Sequence, residues 1–369
     1  MQIKLITNED EFDALGDDWN ALVTGNPRYS LFNSYICNRT WWRHHAHLGE
    51  LSIFVAFDDD KVHGIAPLYR LTTSRFRFLK LNTLCFIGRG ASTTPDDLDI
   101  IVRDDNAVAI TTELVTAILA DSQAQRIHLR DIPATSPSRE VLDSQVQSIS
   151  SSGITVALNA SPEVSRQIAT LPDQWQSYLS AQSRNFRKQI KRRNNRLART
   201  GNAEFSLCKT ESDIDKAFEA LKRLHHERWQ AKPGESSESF QETAYLTFHR
   251  ELMTQLSADD QLWLLVFTLD EKIVGIEYAF SCNKRLLLFQ TGFATDVTEL
   301  APGHLMMSRL FELAIEGGIS EIDFLKGDYE YKDSYANGTR ATLDIDIVKG
   351  RVPVMVTRAA SIVRKLVRR

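Results

Sequence analysis

The sequence predicts an α/β protein made of two related domains, each a mixed sheet flanked by helices. Three observations carry this expectation. At 369 residues the chain exceeds the size at which a single hydrophobic core stops growing. A β-hairpin pattern occurs twice, far apart in the chain. Each hairpin is followed, in the same order, by an apolar helical stretch and a short strand, the alternation expected of packed α/β layers.

The first hairpin is "LSIFVAFDDDKVHGIAPLYR", with β-rich runs at Leu51 to Phe57 and Val62 to Tyr69 around the polar turn "DDDK". The second is "LWLLVFTLDEKIVGIEYAFS", with runs at Leu262 to Leu269 and Ile273 to Phe280 around "DEK". Aligning Lys61 with Lys272 places Gly64 on Gly275 and Ile65 on Ile276. Helices follow at about Val108 to Leu119 and Gly303 to Glu316, then the strands "RIHLRDIP" from Arg126 and "EIDFLKGD" from Glu321. The expected domains are residues 1–160 and 161–369.

Between the two repeats, Gln174 to Ala203 contains no acidic residue. At 100° per residue Trp175, Leu179, Phe186, Ile190 and Leu197 form one stripe, with Arg184, Arg187, Lys188, Lys191 and Arg199 opposite. This predicts one long basic amphipathic helix over about 173–199. Arg193 falls in the apolar stripe, where a charge needs a partner or a ligand anion. A second helix, Ser212 to Trp229, ends in "HHERW" and brings His225 and Arg228 to the edge of its core stripe. "KPGESSES" reads as an exposed loop, and Phe240 to Leu256 as another helix.

Composition narrows the classes. With 43% hydrophobic and 25% charged residues and a net charge of −4, the chain carries no global signature of nucleic-acid or membrane binding. No apolar run reaches the ~20 residues of a membrane span, and no leader-like apolar stretch follows the amino terminus. Four scattered cysteines give neither a disulfide framework nor a zinc pattern, so a cytoplasmic location is expected. No metal is expected: in "WWRHHAH" His44, His45 and His47 have no carboxylate or cysteine at ligand spacing. Trp41 and Trp42 are expected to pack between the domains. The tail after Asp346 has seven basic residues and no acidic one.

The densest chemistry is "DFLKGDYEYKDSY", Asp323 to Tyr335. Glu321 to Lys326 reads as a strand ended by Gly327, and in open α/β sheets ligands bind beyond strand carboxyl ends. Asp328, Tyr331 and Lys332 would then supply a carboxylate, a phenol and an ammonium there. A surface turn with its own salt bridges is the plain alternative. Glu277, a carboxylate inside the apolar strand "IVGIEYAF", is a further candidate.

The segments "SRNFRKQIKRRNNRL", "LHHERW", "ELAPGHLMMSRLFELAIEGG" and "IDFLKGDYEYKDSYA", in this order, resemble the CelD-like acyltransferase family of the GNAT superfamily, associated with bacterial exopolysaccharide synthesis. The likeness extends over most of the chain, "GIAPLYR" included. It implies two tandem GNAT-like (acyl-CoA N-acyltransferase) domains, an arrangement similar to that of the Fem peptidyl transferases. The implied activity moves an acyl group, acetyl first, from coenzyme A to an amine or hydroxyl of a cell-envelope or exopolysaccharide precursor. The resemblance implies catalytic roles for Asp323 or Asp328 as base, Tyr331 as proton donor to the leaving thiolate, and Lys332 as anchor, with Glu277 beside them. Donor binding falls to Pro302, Gly303 and His304 at a helix start, with Arg193. Arg187, His225, Arg228 and Gly327 are the substrate-binding candidates.

One departure keeps the donor open. "TELAPGHL" lacks the Arg/Gln-x-x-Gly-x-Gly/Ala pattern typical of superfamily acyl-CoA loops. An aminoacyl-tRNA donor, with tRNA contacting the basic helix, therefore stands beside acyl-CoA. So does a non-catalytic role in polysaccharide synthesis. The expected partners are a small-molecule or saccharide acceptor and, peripherally, a membrane-bound polysaccharide-synthesis complex.

Overall fold

The computed structural model describes residues 1–75, 79–91, 95–151, 155–230, 242–327, 330–350 and 354–355. It divides into two compact units, Met1–Val164 with Ala341–Arg369, and Ser165–Arg340. The strand from Ala341 thus belongs with the first unit, whereas the sequence placed the whole of 161–369 in the second.

The first unit opens with β1 (Gln2–Ile6), α1 (Glu9–Ala14), α2 (Gly16–Val23) and α3 (Tyr35–His45). The strands β2 (Glu50–Leu51), β3 (Ile53–Asp58), β4 (Lys61–Ala66), β5 (Leu68–Arg75), β6 (Leu79–Phe86) and β7 (Ile101–Val102) follow. The unit continues through α4 (Ala107–Ala120), β8 (Arg126–Pro133), α5 (Pro137–Ser151) and β9 (Val156–Ala160). One sheet has the order β1-β3-β4-β7; in a second, β2, β5, β6 and β8 are neighbours in that order. Trp41 and Trp42 are buried here, both against Tyr69. They are core residues of this unit, which replaces the interdomain role expected for them.

The second unit contains β10 (Val164–Thr170), α6 (Trp175–Ala181), α7 (Arg184–Thr200), β11 (Ala203–Leu207), α8 (Glu211–Gln230) and α9 (Thr243–Ala258). Then come β12 (Leu262–Leu269), β13 (Lys272–Cys282), β14 (Arg285–Phe293), α10 (Pro302–Glu316), β15 (Glu321–Asp323) and α11 (Glu330–Asp333). Its sheet runs β11-β12-β13-β14-β15-β10. Leu286, Leu310, Phe311, Ile322 and Tyr335 share a buried cluster between this sheet and α10. Each such side chain contributes about 1.5–3 kcal/mol by leaving water.

The chain then returns to the first unit. β16 (Gly338–Lys349) pairs antiparallel with β8 through Thr342 to Val348 and with β9 through Ile345 to Lys349.

The internal repeat is visible in backbone detail. Both hairpins turn on two residues of positive φ, Asp59 and Asp60 in one, Asp270 and Glu271 in the other. Two left-handed residues give a turn whose twist matches the flanking strands. Past each turn the ladder slips by one residue, leaving His63 extra on β4 and Val274 extra on β13. Gly64 and Gly275 follow. A Cβ on Gly64 would strike Ile110 of α4, and one on Gly275 would strike Met306 of α10. Glycine is therefore required in each unit where the crossover helix crosses the hairpin.

Two predicted elements differ. The long basic helix is two helices, because Gln182 and Ser183 are extended and Ser183 caps α7 by accepting the Phe186 N–H. The strand predicted from Glu321 to Lys326 stops at Asp323, since Leu325 takes φ 52°.

Candidate active site

Strands β14 and β15 run parallel but pair only through Arg285 to Leu287 with Glu321 to Asp323. β15 ends at Asp323 while β14 continues to Phe293, so the edge of β14 from Leu288 onward runs beyond its pairing with β15. In the ladder on its other side, Tyr278 faces Gln290 while Ala279 faces Leu288, so Phe289 is inserted as a bulge. Bulges bend a strand and increase its local twist.

The chain beyond β14 enters α10, whose first turn lies beside Phe293 at the end of β14. Ala301, at φ 54°, is the N-cap and offers no side-chain cap, and Pro302 opens the helix. Pro302 has no N–H, and His304 donates back to the Ala301 carbonyl at 3.0 Å. The Gly303 amide is the group directed outward at the positive end of the helix. A Cβ on Gly303 would meet Phe293 at 3.6 Å, an ordinary contact.

Around that turn the structure gathers Arg193, His304 and Tyr335. Tyr335 places its hydroxyl 3.1 Å from His304 Nδ1 and donates to the His304 carbonyl at 3.3 Å. Burial, then the charge of Arg193, holds the His304 imidazole below its usual pKa. Burial pushes the Tyr335 phenol up to about 12. Arg193 itself donates to Gln189 at 3.0 Å.

Glu277 lies on β13, 2% exposed, and accepts the Thr291 hydroxyl at 2.6 Å. Its strand neighbour Gly275 packs under Met306, so Glu277 points to the α10 face of the sheet. Thr291 pairs with Glu277 on the stretch of β14 that runs beyond β15.

Asp323 does something else. Ile322 joins the core under α10, so Asp323 points to the opposite face. There it is fully buried, and Arg166 grips both of its oxygens, with Nε at 2.9 and 3.1 Å and Nη2 at 3.0 Å. Leu325 N–H donates to Oδ1 at 2.9 Å, and Arg340 and Arg285 lie 3.5 and 3.9 Å from Oδ2. This is an internal ion-pair knot of Asp323 with Arg166, Arg285 and Arg340. It departs from the general-base role expected for Asp323.

Lys332 is equally occupied. Its ammonium, 2% exposed, donates to the carbonyls of Phe324, Leu325, Lys326 and Gly327 at 2.8–3.3 Å. Gly327 adopts φ 118°, which lets the turn wrap the cation. The side chain expected to anchor a ligand instead holds the turn after β15. Tyr331 packs partly buried against the core cluster. Asp328 lies outside the described residues.

Arg187 closes the α6–α7 junction by donating to the carbonyls of Ser180 and Gln182, a helix C-terminal role rather than a free substrate contact. His225 is buried on α8, and the side chain of Arg228 lies outside the described residues. Thr291 and Tyr335 were missed from the sequence. Only Tyr335 carried a signal, as the last tyrosine of the crowded stretch.

In the first unit the helix α4 is entered through Asp104 and Asp105, which are paired with Arg28 at 2.9 Å and Arg103 at 3.3 Å. No group of three His, Cys, Asp or Glu side chains that could hold a metal occurs among the described residues. No helix among them is long and apolar enough to cross a membrane.

Residues 184–333 match the family model described as an Acetyltransferase (GNAT) domain. None of the curated proteins matches the chain in sequence. Among solved structures, FemX is similar at a TM-score of 0.56 and 13% identity, covering 94% of this chain and 97% of that one. A conserved protein of unknown function from Bacteroides thetaiotaomicron VPI-5482 is similar at a TM-score of 0.57 and 11% identity, covering 94% and 100%. At these identities the likeness is one of fold, and it spans both units. The fold is α/β with two tandem GNAT-like domains, mixed sheets flanked by helices.

Proposed function

We propose that the protein is an acyl-CoA-dependent acyltransferase whose transfer site lies in residues 165–340. The observation that carries this reading is the edge of β14 that runs on beyond β15 beside an uncapped α10, with Gly303, His304 and Arg193 around its first turn. A helix start of this kind takes a pyrophosphate on an outward N–H and a positive dipole end. In this reading an extended thioester arm lies along that edge of β14 and hydrogen-bonds to it.

In this reading Glu277 is the general base. It accepts the proton that the attacking amine or hydroxyl loses, while the neutral Thr291 hydroxyl steadies the carboxylate. The attacking atom forms its bond to the thioester carbonyl carbon, and the carbon–sulfur bond breaks. Tyr331 remains our choice for protonating the thiolate. Asp323 and Lys332 act through the backbone they hold, and Asp328 stays a candidate beyond Gly327. The acceptor we infer is a sugar amine or hydroxyl of a cell-envelope or exopolysaccharide precursor, on the family resemblance alone. A cytoplasmic site of action accords with a coenzyme A donor.

Calorimetric titration with acetyl-CoA, beside the Gly303→Asp variant, tests the donor. The aspartate suits a helix first turn and meets only ordinary contact, so the fold survives, yet it repels a phosphate. Saturable binding lost in the variant is expected; no binding to the unaltered protein removes the acyl-CoA reading. A second donor, an aminoacyl-tRNA, is favoured by the basic outer side of α7, where Lys188, Lys191, Arg192 and Arg199 line one groove. That donor would bind with an affinity falling steeply as salt rises.

A further inference from the structure

We infer that the cavity enclosed by α6, α7, α10 and the β11 edge is a binding site for a nucleoside phosphate. It holds about 510 Å³, within the range of small-molecule sites. Three features of its wall select the ligand together.

The floor is apolar, made by Trp175, Leu179, Ile190, Phe205 and Leu305. Trp175 stacks one face on Tyr178 at 5.4 Å, and Phe205 stacks one face on Phe267 at 4.4 Å. Both rings stay partly exposed on the cavity side, and a half-covered ring is a platform for a flat base.

The rim carries the amides of Gln176, Asn194 and Asn195. Each has both donors and acceptors, the equipment that reads the edge of a base.

The third feature is charge. Lys191 lines the cavity, is exposed, and makes no ion pair among the described residues. Arg187 beside it is hydrogen-bonded only to neutral carbonyls and keeps its charge uncompensated among the described residues. Arg309, on the far wall, is balanced by Glu312 at 2.6 Å. A positive end therefore faces an apolar floor.

Simpler occupants use only part of this wall. An alkyl chain would cover the floor and make no use of the three exposed amides or of Lys191. Inorganic phosphate would meet Lys191 and leave the aromatic floor wet. A nucleoside phosphate satisfies all three.

The cavity is not the transfer site. β11 lies three strands from β14, about 14 Å at normal strand spacing. The two are connected along α10, where Leu305 and Ser308 wall the cavity directly after His304. The role of the ligand rests on the acyltransferase reading: it is either the adenosine-phosphate end of coenzyme A or the nucleoside diphosphate carrier of a sugar acceptor. Its binding does not rest on that reading.

The test is calorimetric titration of the full chain with adenosine 3′,5′-bisphosphate, with each common nucleoside diphosphate, with inorganic phosphate and with dodecyl phosphate. Asn194→Leu and Lys191→Ala are the variants, both at exposed helix positions that tolerate change. Because Lys188 shares the outer basic groove with Lys191, the decisive control is Lys216→Ala at an exposed position of α8. We expect one nucleotide to saturate a single site, at least tenfold weaker in both variants and within twofold in Lys216→Ala. Displacement of that nucleotide by acetyl-CoA assigns it to the donor, and simultaneous binding assigns it to the acceptor. A nucleotide that binds to a protein indifferent to acetyl-CoA upholds the cavity and sinks the transfer reading instead. No saturation by any nucleotide, unchanged affinity in both variants, or tighter binding of dodecyl phosphate overturns the proposal.

Discussion

Thr291 donates its hydroxyl to Glu277 at 2.6 Å across the β13–β14 pair, beyond the stretch where β14 pairs with β15. In the acyltransferase reading this carboxylate takes the proton of the attacking group. Glu277→Gln should therefore lower kcat by about 10²–10⁴-fold, the usual contribution of a general base. The affinity for acetyl-CoA should stay unchanged, and Thr291→Val should have a smaller effect of the same kind. Steady-state kinetics beside calorimetry separates the two quantities.

Asp323→Asn gives a different outcome. Removing this charge takes from the buried Arg166 the carboxylate it grips, with Arg285 and Arg340 close by. The expected loss is about 3–5 kcal/mol of stability, read by denaturant unfolding. A variant that keeps its stability and loses only turnover would restore Asp323 to the chemistry.

Lys332→Met removes the ammonium that four carbonyls share. Each buried carbonyl left without a donor costs about 1–3 kcal/mol, so the turn after β15 should open before the rest of the unit. Amide exchange at Phe324 to Gly327 should accelerate at least tenfold, while exchange in β12 and β13 stays slow.

In the first unit, burial raises the carboxyl of Asp99 to about 6, against hydrogen bonds from Ser136, Ser138 and the Ile100 N–H. Because the folded value exceeds the unfolded one, its stabilising contribution is complete below pH ~3.8 and is lost as pH rises through about 6. Asp99→Asn keeps an oxygen for Ser138 and Ile100, which bond Oδ1 at 2.6 and 2.8 Å. It should add about 2–3 kcal/mol at pH 8 and little at pH 4. Thermal unfolding at the two pH values measures this.

Periodicity and turn chemistry revealed most of the fold. The second hairpin, α8 and α10 lie where alternation and helical spacing put them, and the match of Gly64 with Gly275 proved to be a match of bulge, turn and crossover contact. The break between α6 and α7 escaped because the apolar stripe runs on across it, while the break depends on the single hydroxyl of Ser183. The candidate site was less legible. Charge density drew attention to Asp323 and Lys332, yet density does not tell a ligand contact from an internal one. Their partner groups, Arg166 at 157 residues' distance and a ring of backbone carbonyls, have no pattern in the local sequence. Glu277 stood out because a carboxylate in an apolar strand needs a reason; Tyr335 did not, because a buried tyrosine needs none.

The return of β16 to the first unit has a consequence for synthesis. The second unit, Ser165 to Arg340, is a continuous stretch of chain, whereas β8 and β9 must wait for Thr342 to Lys349 before their shared partner exists. On the ribosome the order of completion is therefore the reverse of the order of translation. The half made first stays open along one strand until Thr342 to Lys349 have emerged, and during that interval its exposed edges are a part of the nascent chain in need of a chaperone.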